Sequence, residues 1–157
     1  MVGLRVLGIG NGARRDDGVG VWVAQALAAR LGDSLDVRVL GDDGFQLVDA
    51  LGGIEAALLI DAVQSGAPPG TVHRFDAARQ PLPPALLRCS THALGVAEAV
   101  ELARALGLLP ARVAVYGIEG ADFGLGEGLS APVAAAAAGL VEELAANLTN
   151  RPCTNTP

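Results

Sequence analysis

The stretch at residues 8–20, GIGNGARRDDGVG, constrains this chain more than any other. It closes a short run rich in branched residues, LRVLGI at 4–9, and opens an amphipathic segment at 19–31 through a single glycine-rich loop. The run reads as a buried strand ended by glycines, and the segment as a helix, with Val19, Val23, Ala26, Leu27 and Leu31 on one face and Gly32 at its end. Two adjacent carboxylates, Asp16 and Asp17, fall where that helix begins. A carboxylate there can accept free amide hydrogens and face the positive end of the helix dipole. Capping needs only one of them. Neighbouring carboxylates repel unless something positive lies beside them, so the second, Asp17, is a candidate for metal or substrate work.

The same alternation continues along the chain. DVRVL at 36–40 reads as a second strand and runs into the acidic turn GDDG, and residues 45–51 as a short helix closed by Gly52 and Gly53. AALLIDAV at 56–63 is the most apolar strand, with Asp61 at its far end. The tight turn SGAPPG predicts that TVHRF hairpins back on its neighbour as an antiparallel edge strand, with His73 facing solvent. Ser90 or Thr91 is the expected cap of the next helix, which puts His92 in its first turn. RVAVYGIE at 112–119 is the last strand, ending in Glu119, for which a structural role is expected, and Ser130 is the expected cap of the final helix. Strands alternating with helices predict a three-layer α/β/α sandwich: a mostly parallel twisted sheet of about five strands with one antiparallel edge. Residues 1–149 make a single domain on this reading and 150–157 a disordered polar tail.

Composition fits that architecture and narrows the function. The chain has 157 residues, enough to bury about 70% of the unfolded surface without staples. Hydrophobic residues make up 51% and aromatics 3%, so the core must come from Ala, Val, Leu and Ile, as suits helices on a parallel sheet. A net charge of −6 argues against nucleic acid and anionic membrane as partners. Cys89 and Cys153 lack any CxxC spacing, so neither a disulfide framework nor a zinc knuckle is indicated. No apolar run approaches a membrane span and the N-terminal residues do not read as a signal peptide, so a cytoplasmic protein is expected.

Two readings compete for the first loop. GIGNGA satisfies the dinucleotide fingerprint G-x-G-x-x-A, but Asp16 and Asp17 would meet the phosphates with like charge, and the ribose-binding acid falls too late at Asp42 or Asp43. The other reading gathers Asp17, Asp61 and His92 at the carboxyl edge of the sheet, where ligands of open α/β sheets bind. Two hard oxygens and one imidazole suit a borderline divalent ion and leave positions open for groups from a substrate. A serine or cysteine hydrolase using Ser90 or Cys89 with His92 would lack any GxSxG elbow. A metal sensor or chaperone would use the same three ligands without cleavage.

The motifs GIGNGARRDDGVG, LLIDAVQSG followed by PPGTV, and STHALGVAEAVELARALG, in this order, resemble the hydrogenase maturation proteases. These endopeptidases process the large subunit of nickel-iron hydrogenases, and the likeness runs through nearly the whole chain but the tail. The resemblance implies that Asp17, Asp61 and His92 recognise nickel already inserted in the precursor subunit, after which one peptide bond is cut to release a short C-terminal extension. It further implies that nickel comes with the substrate and that the protein, expected to be a monomer, owns no permanent cofactor. Asp17 is the residue expected to accept the proton of the attacking water. The family carries an aspartate in the turn after the second strand, where Asp43 stands in this chain, and Asp16 and Asp43 remain possible contributors beside the three.

Overall fold

A computed structural model describes residues 2–83 and 94–150. In chain order these form β1 (Val2–Ile9), a 3-10 turn (Arg15–Gly18), α1 (Val19–Leu31), a second 3-10 turn (Gly32–Ser34), β2 (Asp36–Leu40) and α2 (Gly44–Leu51). They continue with β3 (Ile54–Val63), β4 (Val72–Asp76), α3 (Val96–Ala105), β5 (Arg112–Glu119) and α4 (Ala131–Thr149). The strands join one five-stranded sheet in the order β2-β1-β3-β5-β4, parallel throughout except for β4, which runs antiparallel at one edge. The predicted α/β/α sandwich with one antiparallel edge is the architecture observed.

Each face of the sheet has its own apolar core. On one, Val6, Ile60 and Ile118 pack with Val23 and Leu27 of α1 and with Leu140 and Leu144 of α4. On the other, Leu7, Leu59 and Val115 pack with Leu47 and Leu51 of α2 and with Val100 and Ala103 of α3. Both faces of β1, β3 and β5 are therefore covered, which is why their sequences read as continuous apolar runs. α4 is long and apolar enough, by length and composition, to cross a bilayer, contrary to the sequence expectation. Its buried stripe, Val133, Ala137, Leu140, Val141 and Leu144, is spent on the core it shares with α1. Within β1, Arg5 is buried, donating to the Asp36 carboxylate at 2.7 Å and to the Ala50 carbonyl at 2.9 Å.

Three local expectations are corrected. β4 pairs with β5 and not with β3, the strand it follows. The intervening loop runs from residue 64 to 71 with Gly66 and Gly70 at positive φ, long enough to step over about 10 Å of sheet and leave the edge of β3 to β5. β5 meets β3 along its whole length, from Ala56 opposite Arg112 to Val63 opposite Glu119. Second, α3 is capped at Gly95, whose extended backbone starts the helix at Val96, so Ser90 and Thr91 do not cap it. His92 precedes this helix and lies outside the described residues. Third, neither Asp16 nor Asp17 caps α1, whose N-cap is Gly18; Ser130 is the N-cap of α4 as expected, but its side chain makes no capping bond and donates to Asp16 instead.

Candidate active site

The first loop is folded against the sheet by glycines that no other residue could replace. A β-carbon on Gly20 would lie 2.1 Å from the Ile60 carbonyl oxygen and 2.6 Å from that of Ile9, so α1 starts directly on the ends of β1 and β3. Gly10 has φ +139°, and a β-carbon there would meet the Asp17 carbonyl oxygen at 2.0 Å. This close packing buries Asp17, whose Oδ2 accepts from the Asn11 amide at 3.0 Å. Most of the other amides of the loop are also spent. Gly10 donates to Leu40, Ala13 to the Asn11 side chain, Arg14 to Asn11, Arg15 to Gly126, Asp16 to Asp122 and Asp17 to Arg14. A dinucleotide loop needs such donors facing the pyrophosphate. Here they are consumed by the protein itself.

Asp16, though adjacent, faces other partners. Its Oδ2 accepts from the Ala121 and Asp122 amides at 2.8 and 2.9 Å and from the Ser130 hydroxyl at 2.8 Å, while Oδ1 accepts from the Ser130 amide at 2.8 Å. Burial alone would raise this carboxyl, but the bonds from Ser130, Ala121 and Asp122 outweigh it and hold Asp16 below the usual carboxylate range. Asp16 thus ties the segment at 121–130 to the first loop.

Asp61 is the opposite case. It is fully buried, opposite Gly117 in the sheet; one oxygen accepts from the Ala62 amide at 2.8 Å, and the other, Oδ2, has no hydrogen-bond partner among the described residues. Burial pushes its carboxyl well above the usual range despite the Ala62 amide, and the charges of Asp17 and Asp42 push it the same way. The structure thus brings Asp17 and Asp61 within electrostatic reach of each other and adds Asp42. Asp42 and Asp61 line one cavity of about 20 Å³ with Gly44, Leu94 and Val96, room for about one water. Sequence reading considered Asp42 only as a misplaced ribose ligand. Its signal was the doubled acid in GDDG, of which Asp43 is the structural member: its Oδ1 accepts from the Phe45 amide at 2.9 Å as the N-cap of α2.

Glu119 and His73 form a separate group at the same edge. The Glu119 carboxylate accepts from the Ser65 amide and hydroxyl, both at 2.8 Å, and from the Gly66 amide at 2.9 Å, and its Oε2 lies 3.2 Å from His73 Nε2. Burial would raise this carboxyl, but these partners hold it below its usual value. The structural role expected of Glu119 is the one observed, since it anchors the loop at 64–71. His73 does not simply face solvent as expected; it is half-buried against Glu119 and stacked near Phe75.

Among the described residues, no three His, Cys, Asp or Glu side chains are grouped to hold a metal ion by themselves. Of the three ligands expected from the sequence, Asp17 and Asp61 are buried within electrostatic reach of each other and His92 lies outside the described residues. Carboxylates whose charges oppose one another, around a buried oxygen without a hydrogen-bond donor, are the chemistry a divalent cation relieves. The donor set therefore fits a hard or borderline ion, with further ligands still to be supplied.

Comparison with known proteins places the chain by family and fold. The family model for hydrogenase maturation proteases matches residues 21–147. The hydrogenase expression/formation protein HupD of Thiocapsa roseopersicina is 35% identical over 116 residues, covering 73% of this chain and 52% of that protein, so the chain spans about half the length of this relative. Among solved structures, the [NiFe] hydrogenase maturation protease HybD from Thermococcus kodakarensis superimposes with a TM-score of 0.74 at 30% identity, covering 94% of this chain and 99% of that one. An endopeptidase from Escherichia coli superimposes with a TM-score of 0.79 at 27% identity, covering 94% and 92%. By sequence and by fold, the chain belongs to the hydrogenase maturation protease family.

Proposed function

We propose that this protein is the endopeptidase that removes a short C-terminal extension from the nickel-loaded precursor of a nickel-iron hydrogenase large subunit. The substrate's own nickel is the recognition element, and the protein holds no permanent cofactor. The observation that carries this reading is the Asp61 carboxyl: fully buried, with one oxygen lacking a hydrogen-bond partner among the described residues and with the charges of Asp17 and Asp42 turned against it. Such a carboxyl is poised to ionise when a cation arrives, and a cation that comes with the precursor couples site assembly to metal insertion. Asp17, Asp61 and His92 bind the substrate's nickel. Asp17 accepts a proton from the water that adds to the scissile carbonyl, and that proton is passed to the leaving amine as the peptide bond breaks.

The test is to incubate the purified protein with the nickel-loaded and the nickel-free precursor and to weigh the products by mass spectrometry. Loss of a C-terminal peptide from the nickel-loaded form alone is expected. Equal cleavage of both forms removes nickel from the account, and an unchanged precursor that still binds the protein assigns it the role of a sensor or chaperone.

A further inference from the structure

Large apolar side chains left in water are unevenly placed on this molecule. Among the described residues they are Trp22, Val39, Phe45, Leu106, Leu108 and Leu125. Trp22 lies in the first turn of α1, Val39 near the end of β2, Phe45 in the first turn of α2, and Leu125 in the segment after β5, all at the carboxyl edge that holds Asp61. Only Leu106 and Leu108 lie at the other end, between α3 and β5. Phe45 directly follows Gly44, which lines the cavity beside Asp61, and it belongs to the α2/α3 side of the sheet. Leu125 belongs to the α1/α4 side, where neighbouring Phe123 joins the core. Phe45 and Leu125, the two most exposed of the four, thus stand on opposite faces of the sheet at the edge that holds Asp61.

Leu125 is 81% exposed on a segment that has no freedom to fold it away. The Arg15 amide donates to the Gly126 carbonyl and the Gly126 amide to that of Ala13, both at 2.9 Å, while the Asp16 amide donates to Asp122 at 3.0 Å. Arg15 Nε reaches the Leu125 carbonyl itself at 3.3 Å, and a β-carbon on Gly126, at φ +135°, would meet the Arg15 guanidinium at 3.2 Å. The four bonds to the Asp16 carboxylate fix both ends of the same segment. A leucine held out at the tip of a rigid loop has its ordering entropy removed before any partner arrives, which favours contact with another protein.

We infer that Phe45 and Leu125 are the docking contacts for the folded body of the precursor. This inference rests on the protease reading above. The partner is a protein surface that presents apolar patches on either side of a bound divalent cation: the patches meet Phe45 and Leu125 while the cation enters between Asp17 and Asp61. The charge of the cleft selects the cation, and the two side chains supply contact area without taking part in bond cleavage.

Steady-state cleavage of the nickel-loaded precursor by the full chain and by Phe45→Ser, Leu125→Ser and the double variant tests this. Each single substitution is expected to raise KM about 3- to 10-fold and the double variant more than tenfold, with kcat within about twofold of the parent. Leu106→Ser, at the far end of the molecule, is the control and leaves KM unchanged. Thermal melting separates docking from misfolding, because both side chains are exposed and their loss leaves the midpoint where it was. An unchanged KM in the double variant overturns the docking assignment alone, and so does a fall in kcat at unchanged KM, which would put these residues in the chemical step. A parent protein that cuts no precursor overturns the protease reading, and this inference with it.

Discussion

Asp16 and Asp61 are buried carboxyls at the same edge of one sheet, yet they are supported in opposite ways. Asp16 accepts four hydrogen bonds, and its carboxyl is held below the usual range. Asp61 accepts one from its own neighbour, leaves Oδ2 without a hydrogen bond among the described residues, faces two like charges, and is held well above that range. Glu119 follows Asp16. A carboxylate whose acceptors are filled by the protein is a fastener; a buried one with an acceptor left open has capacity for a ligand. The contrast separates scaffold from site without reference to any relative.

Asp61→Asn cuts the comparison most sharply. It removes the ionisable group and keeps the shape, so precursor cleavage is expected to fall by about 10²- to 10³-fold while the fold persists. Its stability should depend on pH in a defined sense. Asp61 has a folded pKa above its unfolded one, so in the parent protein stability falls as pH rises from the ordinary carboxyl range, about 4, through the folded value. The Asn variant lacks that loss, and its advantage in denaturant melts should grow over the same window. An advantage that shrinks with rising pH would contradict the environment assigned to Asp61.

Asp16→Ala tests the other side. Removing four accepted bonds and leaving the Ser130, Ala121 and Asp122 donors unfilled is expected to destabilise the chain by about 3–5 kcal/mol, read as a lowered urea midpoint. Because the folded pKa of Asp16 is depressed, its stabilisation is present above the unfolded pKa and is lost as pH falls through the folded one. Parent and variant should therefore converge in acid. The smallest effect is expected at His73→Ala, which removes one partner of Glu119 and leaves the Ser65 and Gly66 bonds in place. About 1 kcal/mol is expected, with faster amide exchange confined to the loop at 64–71.

The contrast was only half legible in the residues. The periodicity at 19–31, the apolar run at 56–63 and the strand at 112–119 carried the architecture because α1 buries one face against the sheet while β3 and β5 are buried on both. The pairing of β4 was not legible, since a Pro/Gly loop reports a reversal but not which strand edge is free. The start of α3 was misread because Ser90 and Thr91 offer good caps, whereas the extended backbone at Gly95 decides where the helix begins. The position of Asp61 near the end of the central strand made it a candidate. Which member of each doubled acid does structural work could not be read locally, because Asp16 is satisfied by residues more than a hundred positions away. Asp43, by contrast, caps its own helix, a local signal that the GDDG turn shared between two acids.

The central claim is that Asp61 and Asp17, and not Asp16 or Glu119, receive the cation. Anomalous diffraction at the nickel edge from crystals soaked in a nickel salt tests it most directly, with the Asp61→Asn variant measured alongside. The account predicts one strong peak within bonding distance of the Asp17 and Asp61 carboxylates in the parent protein and its loss in the variant. A peak at Glu119 and His73 with none between Asp17 and Asp61, or a peak at Asp17 that survives Asp61→Asn undiminished, would contradict it.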